Sequence, residues 1–504
     1  MKIYLFSLLV AGVGLNPAAL AQEPAATASP RATMKAVVYH EYGSPDVLRL
    51  EEIEKPIPND DQLLVRVRNA SVNPFDWHYM EGTPYIIRLL DSGLLKPKAS
   101  RLGVDYAGIV EAVGKNVTQF KPGDEVFGGK TGAFAEYVCV TAGRAVAHKP
   151  ANVTFEQAAT VGIAATTALQ GLRDYGQLRA GQKVLINGAS GGVGTFAVQI
   201  AKSLGANVTG VCSGRNVDMV RALGADRVID YTKEDFTQGA ERYDLIIDNV
   251  GNRTIWKYLR VLDRNGRYVL IGGGGSDEQG LFGPLVGPFR LMVVAPFVSQ
   301  KMNMLLANMN QKDFNILADL MQKGKVKPVI DRRYKLTEIV EAVAYLEEGH
   351  ARGKVVIAVE DTNEALTRAG HQLGSDRTAP SPLLIAFELI GVILAVIILP
   401  IVIAFVLNRR FQRRNPGKRG YRWGYYFSIQ AFLFALALAG LLQLGTASVL
   451  LAGVIYALLA WFFAQRKRWA WIALTVLSFN PIAWLINSIY LWRRWGEAPA
   501  AVPA

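Results

Sequence analysis

The chain has 504 residues, too many for one ordinary hydrophobic core, so two or three domains are expected. Its formal net charge of +13 raises the question of a nucleic-acid partner. Residues 383–504 hold twelve Lys and Arg against two acidic residues, so most of the excess flanks apolar runs and indicates membrane lipid, not nucleic acid. Cys139 and Cys212 are too few for a four-thiolate zinc site, and two unpaired thiols are favoured over one disulfide.

The start of the chain has the pattern of a secretory signal peptide over residues 1–21. Lys2 precedes the apolar stretch Ile3–Val13, and the run Ala19-Leu20-Ala21, with small residues at its first and third positions, suits a cleavage site. An uncleaved anchor, or a true start at Met34, are the alternatives. Residues 22–33 are rich in Ala, Pro and Ser and are interpreted as a linker.

Residues 34–155 contain short strand patterns separated by Gly, Pro and Asp turns. The predicted strands are Met34–His40, Leu48–Ile53, Gln62–Ala70, Tyr106–Val113, Glu125–Gly128 and Glu136–Val140. This pattern predicts a β-rich, barrel-like domain.

A glycine-rich turn follows, between a predicted strand at Lys183–Asn187 and an amphipathic helix at 195–204. Gly188, Gly191 and Gly194 have the G-x-x-G-x-x-G spacing, which lets a backbone turn tightly, approach a pyrophosphate and pack a helix on a strand. The helix N-terminus then presents N–H groups to the phosphates. The predicted cofactor contacts in the turn are Gly188, Ser190, Gly191, Gly192, Val193 and Gly194.

The end of the next strand, Asn207–Val211, indicates which dinucleotide binds. NAD-binding proteins usually carry Asp or Glu here to hold the ribose hydroxyls, whereas this chain continues Cys-Ser-Gly-Arg-Asn. The Ser213 hydroxyl and the Arg215 guanidinium match a 2′-phosphate, so NADPH is the predicted cofactor. The alternative for Arg215 is a solvated side chain at a helix start.

Strand and helix patterns alternate through residues 156–298 and predict an α/β fold with a doubly wound parallel sheet. Ligands bind at the carboxyl ends of such strands, which places four residues at the nicotinamide: Val250, Gly251, Ile271 and Gly272. Residues 299–360 return to the β-rich domain. Their predicted elements are a helix at Asp313–Lys323, a strand at Val326–Arg333, a helix at Leu336–Glu348 and a strand at Gly353–Val359.

The rest of the chain contains a linker at 361–382 and apolar segments within 383–495. The segments cover 383–407, 425–444, 447–464 and 469–491, each near the ~20 residues that cross a bilayer, and predict an all-α transmembrane tail. The basic loops between them place the catalytic domain outside the cytoplasm by the positive-inside rule. The cytosolic supply of NADPH favours the opposite side. The predicted location is a bacterial inner membrane, and both sides of the membrane stay possible for the catalytic domain.

Several motifs between residues 34 and 358 resemble the zinc-independent quinone oxidoreductase branch of the medium-chain dehydrogenase/reductase superfamily. They are the glycine-rich turn, MKAVV from Met34, SVNPFD from Ser71, GVDYAG from Gly103, FKPGDEVF from Phe120 and GAFAEY from Gly132. The resemblance covers about two-thirds of the chain and neither end. It implies a Rossmann doubly wound parallel sheet plus a GroES-like β-barrel-type catalytic domain. It also implies a homodimer through the Rossmann sheets.

The same resemblance implies a site without a metal. Zinc-using relatives carry Gly-His-Glu where this chain has Gly103-Val104-Asp105, and a Cys ligand in the loop that here contains Asn73. By resemblance Asn73 lies near the nicotinamide, and Thr167 or its neighbour Thr166 contacts it. Tyr79 is a candidate hydrogen-bond donor, as are His78 and Tyr85. The alternative for each tyrosine is packing against the cleft wall.

Two further residues are implied to bind the cofactor. Lys354 resembles a position near the phosphates, and Tyr231 resembles one under the adenine. A solvated lysine at a strand end is the alternative for Lys354.

The predicted function is hydride transfer from NADPH to a quinone or an α,β-unsaturated carbonyl compound, by an enzyme anchored in a membrane where lipophilic substrates concentrate. A conjugated acceptor spreads the developing negative charge, so a hydrogen-bond donor or water suffices without a metal. The alternative is an inactive NADPH sensor fused to a membrane domain. Electron transfer through a haem in the tail is disfavoured, because all five histidines precede the apolar segments.

Overall fold

A computed structural model describes residues 32–83, 88, 92–98, 100–271, 291, 294–359, 409 and 413. Several predictions lie outside the described residues: the signal peptide, the linker at 361–382, the four apolar segments, Tyr85 and Gly272.

The described residues include no helix long and apolar enough to cross a bilayer. The prediction of a multi-pass inner-membrane protein is therefore wrong for the part of the chain that the structure describes. Its argument rested on the charge and hydropathy of 383–495, of which the structure describes only residues 409 and 413.

The catalytic domain is built from short strands. They are β1 (Thr33–Val38), β2 (Arg49–Glu54), β3 (Gln62–Val72), β4 (Asp105–Val113), β5 (Glu125–Gly129), β6 (Tyr137–Thr141) and β7 (Val146–His148). β14 (Ile330–Lys335) and β15 (Lys354–Ala358) are added from the far end of the described chain. β1 and β2 pair with each other, and the main sheet has the order β14-β15-β3-β4-β5-β7, with β6 also on β3. The predicted β-rich domain is confirmed.

The nucleotide-binding domain lies between these two groups of strands. Its strands are β8 (Lys183–Asn187), β9 (Asn207–Cys212), β10 (Arg227–Asp230), β11 (Tyr243–Asp248), β12 (Leu262–Leu270) and β13 (Lys301–Met304). They are parallel and have the order β10-β9-β8-β11-β12-β13, which is the doubly wound order of a Rossmann sheet. This confirms the predicted fold of the domain. β13 still pairs with β12, so the chain leaves the sheet after Met304 and not at residue 298.

The helices that cover the sheets are short. They are α1 (Pro74–Glu81), α2 (Phe155–Ala158), α3 (Gly162–Gln170), α4 (Gly192–Ser203), α5 (Val217–Ala222), α6 (Ile255–Val261), α7 (Gln311–Gln322) and α8 (Ile339–Glu347). Along β8, Val184 and Ile186 pack into the core with α3 and α4, whereas Leu185 packs with α6. Helices therefore cover both faces, as a parallel sheet requires.

The register of three strands brings distant parts of the chain together at the site. β15 pairs with β3 at Val355 and Val72, and β4 pairs with β3 at Asp105 and Ser71. The start of β15, the end of β3 and the start of β4 are therefore adjacent. β14 begins at Ile330, later than the predicted Val326, because Pro328 has no N–H to donate to a strand partner.

Candidate active site

The glycine-rich turn between β8 and α4 has the geometry of a phosphate cradle. Gly188 has a φ of +77°, and a Cβ added to Gly194 would lie 2.1 Å from the Gly188 carbonyl oxygen. An added Cβ at Gly191 would have its nearest neighbour 3.6 Å away. Gly191 caps α4 without a side chain, so the N–H groups of Gly192 and Val193 lie at a helix end where they can bind an anion.

Two hydroxyls and a guanidinium border this turn. Asn216 Nδ2 donates to Ser190 Oγ at 3.2 Å and to Ser213 Oγ at 3.1 Å. Because each hydroxyl oxygen accepts from Asn216, each hydroxyl hydrogen is directed elsewhere and can be donated to a phosphate. Arg215 is exposed, and its Nη2 donates to the His350 carbonyl at 3.2 Å. This donor set fits the 2′-phosphate of NADPH. The sequence does not single out Asn216, because Asn at a helix start is a common cap.

A carboxylate that the sequence did not indicate lies close to this donor set. An added Cβ at Gly214 would be 2.6 Å from Asp230 Oδ2. The Thr232 hydroxyl donates to Asp230 Oδ1 at 2.7 Å, and this bond holds the pKa of Asp230 below its ordinary value. Tyr231, the predicted adenine contact, comes next in the chain and is 49% exposed.

The predicted nicotinamide side is shaped by a buried carboxylate, Asp248, at the end of β11. Its Oδ1 accepts from the backbone N–H groups of Val250 at 3.1 Å and Gly251 at 3.0 Å. Asn187 and Tyr268 donate to the two Asp248 oxygens at 2.9 and 2.6 Å. The Val250 side chain lies against Gly188, where an added Cβ would be 2.8 Å from Val250 Cγ2. The structure thus brings Val250 to the glycine-rich turn, and Asp248 fixes Gly251 next to it.

Ile271 follows β12 and lies against the end of α3. An added Cβ at Gly171 would be 3.2 Å from Ile271 Cδ1. Ile271 is half-buried, so it forms a wall between α3 and the nucleotide sheet.

A buried polar cluster lies where β3, β4 and β15 meet. We define it as Ser71, Asn73, Asp76, Asp105 and Lys354, all nearly inaccessible to solvent. Asp76 accepts from the Asn73 N–H at 2.8 Å and from the Gly103 N–H at 3.0 Å. Burial raises the pKa of Asp76 to about 7 against these hydrogen bonds.

The Lys354 ammonium lies inside this polar cluster. It donates to Asn73 Oδ1, to the Val72 carbonyl at 3.2 Å and to Asp105 Oδ2 at 3.4 Å. Burial lowers the pKa of Lys354, and the nearby charge of Asp105 opposes that shift. The side chain is 4% exposed, which excludes a solvated lysine.

The stem of Lys354 does pass the predicted phosphate site. An added Cβ at Gly192 would be 3.3 Å from Lys354 Cδ, and the Gly353 N–H donates to the Ser190 carbonyl at 3.0 Å. The charged end, however, points to Asn73, so the structure places the ammonium in the polar cluster and not at the phosphates.

The two remaining catalytic candidates have their own contacts. The Thr167 hydroxyl donates to the Ile163 carbonyl at 2.7 Å, one turn back along α3. The neighbouring Thr166 hydroxyl is buried without a hydrogen-bond partner. Tyr79 stacks on Phe75, with ring centroids 4.1 Å apart, and packs against the core of the catalytic domain. These contacts match the alternative in which Tyr79 packs against a wall.

Family models match two parts of the chain. "Alcohol dehydrogenase GroES-like domain" matches residues 59–151, and "Zinc-binding dehydrogenase" matches residues 223–357. A mitochondrial NAD(P)H oxidoreductase of Mus musculus is 36% identical over 366 residues, with 66% of this chain and 91% of that protein covered. The chain belongs to the medium-chain dehydrogenase/reductase superfamily.

Within this superfamily the chain is quinone oxidoreductase-like. The quinone oxidoreductase structure from Coxiella burnetii has a TM-score of 0.58 and 32% identity, and the match covers 65% of this chain and all of that one. The 2-methylene-furan-3-one reductase of Solanum lycopersicum is 33% identical over 360 residues, with 68% of this chain and 84% of that protein covered. The protein is an NAD(P)H-dependent oxidoreductase with NADPH as its cofactor. The mouse relative is named as mitochondrial, unlike the bacterial inner membrane predicted for this chain.

The residues of the site do not fit the zinc ion in the name of one matching model. Zinc sites are built from Cys, His and carboxylate ligands. Residues 32–359, as far as they are described, bring no three such side chains together. The oxygens that do converge, at Asn73, Asp105 and Val72, already surround the Lys354 ammonium.

Proposed function

We propose that the protein transfers a hydride from NADPH to a quinone or to the β-carbon of an α,β-unsaturated carbonyl compound, without a metal ion. The observation that carries this proposal is the Lys354 ammonium, which occupies the cluster of converging oxygens formed by Asn73, Val72 and Asp105. With no Lewis acid, conjugation in the acceptor has to spread the charge that arrives with the hydride. Quinones and enones meet that condition, whereas a saturated ketone does not.

The named activities of the relatives support the same acceptors. The tomato relative is named for a conjugated furanone, and a human relative at 32% identity is named a quinone oxidoreductase.

The residues of the chain have distinct roles in this proposal. The bound NADPH supplies the hydride. The N-terminus of α4 binds the pyrophosphate, and Ser213 and Arg215 bind the 2′-phosphate. Asp248 fixes the turn at Val250 and Gly251, which would border the nicotinamide when NADPH is bound. Asn73 donates both amide hydrogens within the polar cluster, so it offers none to the substrate oxygen. In this proposal water supplies the proton that completes the reduction.

The test is NADPH oxidation by the purified chain with 1,4-benzoquinone, with but-3-en-2-one and with butan-2-one. We expect turnover of the first two acceptors and at least tenfold slower turnover of the saturated ketone. Faster reduction of butan-2-one would contradict the proposal. NADPH binding without turnover of any acceptor would support the sensor alternative.

A further inference from the structure

The ammonium of Lys354 has no hydrogen left for a substrate. An ammonium carries three hydrogens, and three oxygens accept them: Asn73 Oδ1, the Val72 carbonyl and Asp105 Oδ2. The group is also almost completely buried. Lys354 therefore acts by holding these oxygens in place and not by giving up a proton.

The first group that it holds is the Asn73 amide. Asn73 Nδ2 donates to the Ser71 carbonyl at 3.3 Å and to Asp105 Oδ2 at 3.0 Å, while Oδ1 accepts from Lys354. A flipped amide would direct its NH₂ group at the ammonium. The positive charge therefore fixes the orientation of Asn73, and Asn73 in turn begins α1.

The second group is the Asp105 carboxylate, which fixes α3. Its Oδ1 accepts from the Ile163 N–H in the first turn of α3, at 2.8 Å. An added Cβ at Gly162 would lie 2.1 Å from the same oxygen, so the carboxylate and the helix start are in close contact. Thr167 lies one turn further along α3 and bonds back to Ile163. A shift of Asp105 would be transmitted directly to this helix.

The third contact is with the nucleotide site. The Lys354 stem lies beside Gly192, and the adjacent Gly353 N–H donates to the Ser190 carbonyl in the glycine-rich turn. One residue thus joins the start of α1, the start of α3 and the phosphate cradle.

We propose that Lys354 is a positioning residue: an internal cation that takes the place of a metal ion among these oxygens and aligns the catalytic sheet with the glycine-rich turn for hydride transfer. Preorganised supporting residues of this kind determine whether reacting groups meet at the correct distance. Asp105 supplies the opposite charge that makes a buried ammonium tolerable. Asp76 is the other carboxylate that faces it, and burial raises the pKa of Asp76.

The inference rests on the proposed hydride transfer and is tested with Lys354→Met. We expect kcat for quinone reduction to fall about 100-fold, the cost of roughly 1 Å of misplacement, while the Kd for NADPH changes less than about threefold. The fluorescence of bound NADPH should also change, because the nicotinamide meets a displaced wall. Lys183→Met is the matched control. Lys183 also begins a strand and pairs with a carboxylate, Glu241 at 3.0 Å, but its side chain is 51% exposed, so this variant should behave as wild type.

A double variant, Lys354→Met with Asp105→Asn, separates positioning from charge balance. Removing one partner leaves an uncompensated buried charge, whereas removing both does not. We expect the double variant to regain thermal stability and to keep a low kcat. If kcat returns together with stability, Lys354 only balances charge and the inference is wrong. If Lys354→Met alone does not fold, the kcat of the double variant still distinguishes positioning from charge balance.

Failure of the proposed function would be recognised separately. If wild type reduces no acceptor, NADPH fluorescence and Kd still report on the alignment of the two domains. Unchanged fluorescence in both the Lys354→Met and the double variant would then overturn the inference.

Discussion

Replacing Gly194 by Ala is the most direct test of the phosphate cradle. The new methyl group would lie 2.1 Å from the Gly188 carbonyl oxygen and 2.7 Å from Ala189 Cα. Both neighbours are backbone atoms, and the same carbonyl accepts from the Gly191 N–H at 3.2 Å, so the whole turn has to move.

Overpacking of this size costs about 1–3 kcal/mol of the free energy of unfolding. That corresponds to about 2–4 °C in Tm per kcal/mol for a domain of 150–250 residues. The moved turn also misdirects the N–H groups that bind the pyrophosphate. Loss of one hydrogen bond to a charged group costs about 1.5–3 kcal/mol, which weakens NADPH binding about 10- to 140-fold.

The assay is thermal unfolding without cofactor, followed by a fluorescence titration with NADPH. Gly191→Ala is the matched control, because Gly191 has φ −82° and ψ −178° and an added Cβ meets its nearest neighbour at 3.6 Å. We expect wild-type Tm for Gly191→Ala without cofactor. A Gly194→Ala protein with wild-type Tm and Kd would refute the reasoning, as would an equal loss of stability in both variants.

Three other predictions concern the charges and donors of the site. Arg215→Ala should weaken NADPH binding at least tenfold and NADH binding less than threefold. Arg242 is another exposed arginine, and Arg242→Ala should change neither affinity. Equal losses for both dinucleotides in Arg215→Ala would contradict a 2′-phosphate contact. Asn216→Ala removes the hydrogen bonds that orient the Ser190 and Ser213 hydroxyls. Each bond is worth ~0.5–1.5 kcal/mol, so we expect NADPH affinity to fall about 2- to 12-fold in a fluorescence titration. Asp76 has a pKa raised from 3.8 to about 7, so its contribution to stability is complete below pH 3.8 and is lost as the pH rises towards 7. In urea unfolding, the free energy of unfolding of wild type minus that of Asp76→Asn should fall by up to about 1.4 kcal/mol per pH unit across this range. Asp76→Asn should lack this contribution, and the same slope in both proteins would disprove it.

Local patterns predicted much of the fold. The strand, glycine-rich turn and helix at 183–204 are set by residues close in sequence, and the structure has them as β8 and α4. The short strands of the catalytic domain were also predictable, since turn residues mark their ends. Elements without such marks, such as β13, were not predicted, because only pairing with β12 identifies that strand.

The position of the Lys354 ammonium could not be predicted from the sequence. Its partner Asn73 is 281 residues away, and a strand-end lysine has the same local pattern whether it is solvated or buried. Only the register of β15 against β3 decides the outcome. Asp230 was missed for the same reason, since its approach to Gly214 arises from the pairing of β10 with β9.

The discontinuous catalytic sheet has a consequence for synthesis on the ribosome. Val72 at the end of β3 and Lys354 at the start of β15 are separated by 282 residues, which include the whole nucleotide sheet. At about 5–20 residues per second, the nascent chain carries β3 for about 15–55 s before β15 is made. During that interval the side of Asn69–Val72 that later pairs with β15 has no partner strand, and Asp105 has no ammonium beside it. The nucleotide-binding domain can therefore fold first, and its glycine-rich turn is in place to receive β15 when the last part of the catalytic sheet emerges.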